Sequence, residues 1–363
     1  MSTGIKPYKK RLIALASSVL LLIVIEVCKR YPAFADTYFT SVYRNIMVVL
    51  NGMSSVFPFS LYDVFILVGI VFIFWQLSFF FRKKWASALL NLGLFGVGLM
   101  IFFELSWGIN YFSSDFFTRN NLERSAPDSI AYKSYVTDYI AAMNHTFQHL
   151  DTTQVDSMDV WLQQTFNSKE RTLGILTQNG YRKLNKEFVI NTIPYSARAK
   201  RMLFGDTYAG MGILGYYGPF FSEAHLNPNL LPHQIPFTYA HEMAHLAGIT
   251  SEAEANFYAF KILTNTNSNA LRFSAYYSLL PHVLNNAARC MPEEEYKTLI
   301  ESVDPNIIKI LRYTRTHWDN LYSPLIGQIQ DHLYNYYLQS NNIPSGLQNY
   351  SEVVELLVST DSK

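Results

Sequence analysis

The sequence has little charge and almost no cysteine. Charged residues make up 16% of its 363 residues, 29 basic and 28 acidic, which leaves a net charge of +1. Such an even balance offers no electrostatic basis for holding phosphate backbones, so we expect no nucleic-acid partner. The only two cysteines, Cys28 and Cys290, fall in different parts of the chain, and no disulfide is therefore available within either part.

Long uncharged runs fill the first third of the chain. Residues 64–81 and 85–103 carry no charge over 18 and 19 positions, and each run is long enough to cross a hydrocarbon core of about 30 Å. The basic link 82–84 joins them as a helical hairpin. An earlier run, residues 12–25, predicts an uncleaved membrane helix or a secretory signal cut after 33–35, and we favour the helix. Three membrane helices are thus predicted, at about 12–28, 62–81 and 85–106.

The basic residues predict the orientation of these helices. Four basic residues precede the first helix and three form the link, whereas residues 29–61 carry only three. The richer side is expected to be cytoplasmic. Residues 1–107 then form a membrane region in a lipid bilayer, residues 107–111 leave it as an interfacial aromatic segment, and residues 108–363 form an extracytoplasmic domain.

One short segment of that domain indicates a chemistry. His241 and His245 stand four apart on a predicted helix, so both imidazoles project from one face towards a single zinc ion. Glu242 follows the first histidine, where its carboxylate can act as general base towards a water molecule. Gly248 can end this helix and Ser251 can begin the next, which brings an acidic residue close enough to be the third ligand.

Glu252 and Glu254 compete for that third position, because residues two apart on a helix point in different directions. The stretch from Glu252 to Asn256 resembles the Glu-x-x-Ala-Asp segment of gluzincin-type membrane zinc peptidases. The resemblance implies that Glu252 binds the metal and that Asn256 holds a ligand histidine in place. The chain departs from the pattern at Asn256, which accepts a hydrogen bond but brings no charge.

The remaining elements give weaker indications of a site. Residues 212–226 predict one or two short strands at a sheet edge, where Tyr216 and Tyr217 would belong either to a substrate-aligning strand or to an aromatic packing hairpin. Amphipathic or apolar patterns predict helices at 127–150, 257–266, 270–288, 293–302, 305–320 and 323–339, a short helix at 180–186 and a last segment at 347–357. Tyr276, Tyr277 and His282 are candidate transition-state donors, although helical packing explains them equally well.

The order of these features resembles a known family. The three apolar segments, the aromatic segments 107–111 and 215–220, the histidine helix 236–245, the acidic segment 251–257 and the closing segment 346–354 together are similar to the bacterial membrane family called domain of unknown function 3810. The resemblance implies a bacterial multi-pass membrane protein. With the orientation that the basic residues predict, it would lie in the inner membrane with its later domain in the periplasm. The resemblance implies no substrate.

The sequence therefore predicts a mainly α protein, with three transmembrane helices and a mostly helical zincin-like domain that contains a small β element. The expected function is a zinc metallopeptidase with one Zn²⁺ ion and a peptide or protein substrate. Two alternatives stay open. One is a non-catalytic protein whose metal is structural, closed by His225 or Glu254, and whose domain binds a partner. The other is a zinc hydrolase of a non-peptide envelope amide.

Overall fold

The computed structural model describes residues 8–124, 129–150, 157–343 and 352–361. Its first third is helical and comprises α1 (Lys9–Cys28), α2 (Pro32–Thr37), a π-helical turn (Tyr38–Tyr43), α3 (Arg44–Ser54), α4 (Leu61–Phe81), α5 (Trp85–Ser106) and a 3₁₀ turn (Gly108–Phe112). Helices α1, α4 and α5 are long and apolar enough to cross a bilayer, which confirms the three predicted segments and indicates a membrane protein.

The rest of the chain is mostly helical and carries one small sheet. Its elements are α6 (Phe116–Arg119), α7 (Ser129–Gln148), α8 (Met158–Thr165), α9 (Glu170–Leu184), β1 (Lys200–Arg201), α10 (Gly205–Gly210), β2 (Gly215–Gly218), β3 (Glu223–Leu226), α11 (Ile235–Leu246), α12 (Glu252–Thr264), α13 (Asn269–Cys290), α14 (Glu293–Glu301), α15 (Pro305–Asp319), α16 (Pro324–Ser340) and α17 (Val353–Asp361). The predicted fold class is confirmed.

The membrane helices have a defined relative direction. Arg11 near the start of α1 donates to Ser87 near the start of α5 at 2.8 Å, and Lys29 just after α1 donates to Glu104 near the end of α5 at 2.8 Å. These two helices are therefore parallel, and α4 runs against α5 across the short link. The start of α1 and the link lie at one end of the bundle, whereas the end of α1, the start of α4 and the end of α5 lie at the other.

The segment between α1 and α4 packs onto the later part of the chain. Tyr43 donates to the backbone oxygen of Leu246 at 3.0 Å, and Asn51 donates to that of Ser222 at 2.9 Å. The start of α4 is held as well, since the backbone N–H of Tyr62 donates to Glu223 of β3 at 2.9 Å. Contacts thus cross the predicted division at residue 107, and residues 32–60 contribute to the core of the later domain.

The structure corrects one helix prediction. Instead of a short helix at 180–186, α9 covers Glu170–Leu184 and buries Leu173, Thr177 and Tyr181 at helical spacing. Gly180 lies inside this helix because a Cβ there would come within 2.7 Å of Ile262 on α12. Gly180 therefore serves close packing between α9 and α12. Parts of the predicted helix at 127–150 and of the segments at 346–354 and 347–357 lie outside the described residues.

The sheet has the order β1-β3-β2. Strands β2 and β3 form an antiparallel hairpin that pairs Gly215 with Leu226 and Gly218 with Glu223, and the two residues of β1 run parallel to β3. The break between the paired strands is a turn with Ser222 at φ +48°. Strand β2 therefore lies at the edge of the sheet, as the glycine and aromatic pattern predicted.

Gly248 lies in the turn after the histidine helix, and its close contacts lead to a first prediction. Its φ is +97°, and a Cβ there would come within 2.7 Å of Tyr43 and 2.8 Å of Phe39. Gly248→Ala is expected to lower the free energy of unfolding by about 1–3 kcal/mol through strain and overpacking. A thermal-unfolding series in one detergent measures it. Gly52→Ala is the matched control, because a Cβ at Gly52 meets nothing within 4 Å. Equal melting temperatures for the two variants would contradict the prediction.

Candidate metal centre

Helix α11 carries the two histidines through the protein interior. It begins at Ile235 and has Pro236 in its first turn. Backbone N–H groups in the first turn have no partner within the helix, so the missing N–H of proline costs nothing there. From Pro236 to Leu246 all its residues are buried. Two imidazoles and a carboxylate inside such a helix need partners, since burying unpaired polar groups is costly.

A tight turn brings the acidic residues back to this helix. Helix α11 ends at Leu246, Gly248 adopts the left-handed conformation, and α12 begins at Glu252. The Ser251 hydroxyl accepts the backbone N–H of Glu254 at 3.3 Å, the N-cap bond that serine commonly forms. The turn between the two helices is as the sequence predicted.

Three ligand atoms converge at this turn. His241 Nε2 lies 3.1 Å from His245 Nε2 and 3.1 Å from Glu252 Oε2, and His245 Nε2 lies 3.5 Å from the same oxygen. Ligands at 2.0–2.1 Å from a tetrahedral zinc ion are about 3.3 Å apart. His241, His245 and Glu252 are the one group of three or more such side chains, among the described residues, that could hold a metal ion. The donor set and its spacing fit zinc.

Each of these side chains also has a hydrogen-bond partner at its other polar atom, away from the point of convergence. His241 Nδ1 lies 2.8 Å from Asn256 Oδ1, and His245 Nδ1 lies 2.7 Å from the backbone oxygen of Ile249. When these Nδ1 atoms carry the protons, they donate to the oxygens and both Nε2 lone pairs face the centre, an arrangement typical of metal-binding histidines. The Tyr334 hydroxyl of α16 donates to Glu252 Oε1 at 2.7 Å, which leaves Oε2 facing the histidines.

Glu254, the rival third ligand, points elsewhere. It forms a buried ion pair with Arg119 of α6. Burial raises the pKa of Glu254, and the Arg119 guanidinium opposes that rise. His225, the other side chain considered for closing the site, stacks on Tyr216 with ring centroids 4.4 Å apart and lies 3.4 Å from Glu223. Neither side chain belongs to the three-residue group.

Glu242 lies beside the edge strand. A Cβ at Gly215 of β2 would come within 2.4 Å of Glu242 Oε1, so the strand backbone passes directly over this carboxylate. Glu242 Oε2 is buried and has no hydrogen-bond partner among the described residues. Burial raises the pKa of Glu242 to about 7, although the neighbouring histidines oppose it. A carboxyl with a pKa near neutrality can both accept and return a proton.

The charges of the three converging side chains depend on one another. Burial alone would raise the pKa of Glu252, but His245 and His241 outweigh it and hold that pKa well below its ordinary value. Burial would lower the pKa of His245, yet Glu252 and Glu242 raise it to about 9. Two carboxylates therefore attract positive charge to this point, and a proton and a divalent cation compete for it.

Aromatic residues from the membrane side form one wall of the site. Trp107, directly after α5, meets His245 edge-on with centroids 6.1 Å apart and packs on Tyr217 at 4.6 Å. The Tyr217 and Tyr43 hydroxyls lie 3.1 Å apart. Residues 107–111, predicted as an interfacial aromatic segment, directly follow α5, and Trp107 and Tyr111 are buried within the protein.

The other candidate side chains have varied positions. Tyr216 donates to Asp63 of α4 at 2.5 Å, so its hydroxyl is directed to the membrane hairpin. Tyr277 donates to Thr314 at 2.8 Å and packs against His233, and Tyr276 packs against Tyr139 and Phe260. Burial lowers the pKa of His282, and the proximity of His241 lowers it further. His282, one of the three proposed transition-state donors, is thus electrostatically coupled to His241 of the site.

Sequence reasoning missed Tyr334, Tyr43 and Arg119 around the site. Tyr334 is 82 positions from Glu252 and sits in a helix whose pattern indicated packing alone. Tyr43 comes from a segment assigned to the membrane region. Arg119 forms the ion pair that keeps Glu254 from being the third ligand. It lies 135 residues from Glu254 in the sequence, and no local pattern indicates this pairing.

A family model described as a protein of unknown function, DUF3810, matches residues 38–358. The chain belongs to the DUF3810 family. The match begins in the π-helical turn of residues 38–43 and includes α3, so the DUF3810 unit covers the inter-helix segment that packs on α11. No curated protein and no solved structure matches the chain. Membership of DUF3810 supports the architecture and carries no activity.

The close approach of Gly215 to Glu242 gives a second prediction. In Gly215→Ala the new methyl group would meet the flexible Glu242 carboxylate and displace it. Zinc binding is expected to stay unchanged, whereas any reaction that depends on Glu242 is expected to slow about 10–100-fold, because small misplacements of a reacting group are costly. Zinc content and the rate of that reaction measure the two effects. An unchanged rate in Gly215→Ala would contradict the close approach of β2 to Glu242.

Proposed function

We propose that this DUF3810 protein is a membrane-anchored zinc metallopeptidase acting outside the cytoplasm. The observation that carries the proposal is the convergence of His241, His245 and Glu252 with Glu242 beside them under an edge strand. The three converging side chains would hold one zinc ion. Bound zinc would supply Lewis acidity, which polarises a carbonyl group and makes a water molecule more acidic.

Glu242 performs the proton transfers in this proposal. Its buried carboxylate takes a proton from the attacking water and later gives it to the leaving amine. A pKa near 7 suits both steps, since the group is then readily protonated and deprotonated at neutral pH. The low-dielectric surroundings keep this carboxylate from being solvated by bulk water.

Strand β2 supports a peptide as the substrate. It is an edge strand, and an extended peptide can add to such an edge by backbone hydrogen bonds. Its first residue, Gly215, lies against Glu242, so a peptide paired with β2 runs past the proposed base. Tyr217 packs on Trp107 and Tyr216 is bonded to Asp63, which makes the two tyrosines supports of the strand rather than groups that contact the scissile bond.

The positions of Glu254 and His225, the two candidates for a fourth ligand, favour a catalytic metal over a structural one. Structural zinc sites are closed by four protein ligands, whereas hydrolytic sites use three. Glu254 is paired with Arg119, and His225 is packed between Tyr216 and Glu223. Both are therefore engaged away from the converging atoms.

The location outside the cytoplasm rests on the basic residues. Lys9, Lys10 and Arg11 lie at the start of α1, and residues 82–84 lie at the same end of the bundle. The positive-inside rule assigns that end to the cytoplasm. The metal centre, which packs against the end of α5, is then on the other side of the bacterial inner membrane.

The proposal is tested by incubating the full chain, reconstituted in nanodiscs with zinc, with a diverse peptide library. Mass spectrometry is expected to detect new peptide termini that disappear on addition of a zinc chelator and return with zinc. Zinc-loaded protein that cleaves no peptide, and in parallel releases an amine from cell-envelope amides, would contradict the peptidase assignment in favour of the non-peptide hydrolase.

A further inference from the structure

Helix α16 carries an apolar face that no other part of the described chain covers. Its exposed apolar residues are Leu325 (71% exposed), Ile326 (43%), Ile329 (54%), Leu333 (66%) and Tyr336 (73%). At 100° per residue these five positions fall within an arc of about 100°. Isolated exposed apolar residues are ordinary, but a continuous stripe along about three turns marks an interaction surface.

The other two faces of α16 are of different character. Gly327 and Leu338 are buried against the domain. Gln328, Asp331 and Gln339 are exposed and lie on the side away from the apolar stripe. The helix thus has a protein-facing side, a polar side and an unoccupied apolar side, the distribution expected of a helix that lies in a membrane interface.

The two ends of α16 are held, directly or through α10, near the ends of membrane-spanning helices α5 and α4. Tyr337 packs edge-on against Phe103, three residues before the end of α5, with centroids 6.2 Å apart. At the other end, Ser323 donates its backbone N–H to Gly210 of α10 at 2.9 Å. Helix α10 in turn contacts α4, since Tyr208 donates to Asp63, the third residue of α4, at 3.3 Å.

The end of α5 and the start of α4 belong to the same side of one helical hairpin. A helix of 17 residues, about 25 Å long, that is anchored near both points runs along the membrane plane and not away from it. More exposed apolar side chains occur around these anchors. Leu203, Phe204 and Tyr322 flank the α10 end, and Val56, Phe57 and Phe59 precede α4.

We infer that α16 is an in-plane membrane helix whose apolar stripe inserts into the bilayer surface on the side of the metal centre. The occupant of the stripe is lipid, because both ends of α16 are held next to the ends of α5 and α4 on one side of the membrane hairpin, and further exposed apolar side chains surround these anchors. The same helix carries Tyr334, the hydroxyl that donates to Glu252. The candidate site therefore stands at the bilayer surface. This inference does not depend on the proposed hydrolase activity.

Site-specific lipid quenching tests the inference. The full chain with Cys28→Ser and Cys290→Ser provides a background, and single Ile329→Cys, Leu333→Cys, Gln328→Cys and Asp331→Cys variants are labelled with a small fluorophore. All four positions are exposed, so the labels should not disturb the fold. In nanodiscs with brominated-acyl lipids, labels at 329 and 333 are expected to be quenched roughly twofold or more relative to those at 328 and 331, since interfacial helices bury their apolar face about 5–10 Å deep.

Quenching that is equal at all four positions would overturn the inference. So would insensitivity to lipid at 329 and 333 combined with cross-linking between copies through the same cysteines, which would assign the stripe to a second copy of the chain. Matching melting temperatures of the four labelled variants provide the folding control. The proposed function can fail, with no peptide cleaved, while the quenching pattern still holds.

Discussion

Glu242→Gln is expected to abolish measurable peptide hydrolysis and to leave the bound zinc in place. The amide keeps the size of the carboxylate but cannot take up the proton of water, and a general base contributes about 10²–10⁴-fold to rate. Glu242 is not one of the three converging ligand side chains, so the metal affinity depends little on it. Rate constants and zinc content from the same purified sample measure both halves of the prediction.

The matched control is Gln234→Ala, a change at the residue directly before α11 and away from the site, which tests whether disturbance of α11 alone lowers activity. Gln234 accepts from Trp318 and from the backbone N–H of Leu231, so this change affects packing near the start of α11. A Glu242→Gln protein that retains the activity of the unaltered chain would show that another group removes the proton.

A second large effect is expected to distinguish the roles of Glu252 and Glu254, the two acidic residues in the first turn of α12. Glu252→Gln is expected to weaken zinc binding more than about a hundredfold, because even the loss of an outer-shell partner costs about 10–100-fold. Glu254→Gln is expected to bind zinc normally and to lower stability by up to about 3–5 kcal/mol, because it leaves the buried Arg119 charge without its partner. Zinc titration with a competing chelator and thermal unfolding distinguish the two outcomes.

Arg119→Met combined with Glu254→Gln serves as the control for that pair. Removing both charges should recover part of the stability lost in the single variant, since an uncompensated buried charge is the main cost. If Glu254→Gln lost zinc and Glu252→Gln kept it, the assignment of the third ligand would be reversed.

Local sequence patterns predicted those features that depend on residues close together in the sequence. Uncharged runs of 18 and 19 residues are sufficient to define α4 and α5, because bilayer thickness sets their length. Gly248 and Ser251 predicted the turn and cap between α11 and α12, because these residue types favour those backbone positions. The convergence of His241, His245 and Glu252 follows from that turn.

The parts that escaped prediction depend on contacts between distant segments. Tyr43 and Trp107 lie in the predicted membrane region, yet both contact the histidine helix in the folded chain. Tyr334 reaches Glu252 because the two ends of α16 are held near the end of α5 and, through α10, near the start of α4. The packing glycine of α9 likewise has meaning only beside Ile262. No periodicity or spacing records such long-range pairings.

The most direct measurement is elemental analysis of the purified full chain and of its His245→Ala variant, with each sample checked for a single cooperative unfolding transition. Unaltered protein is expected to contain about one zinc per chain, as a single three-ligand site requires, and the variant is expected to contain almost none. Equal zinc in both samples, or none in the unaltered protein even after zinc loading, would contradict a metal centre built from His241, His245 and Glu252.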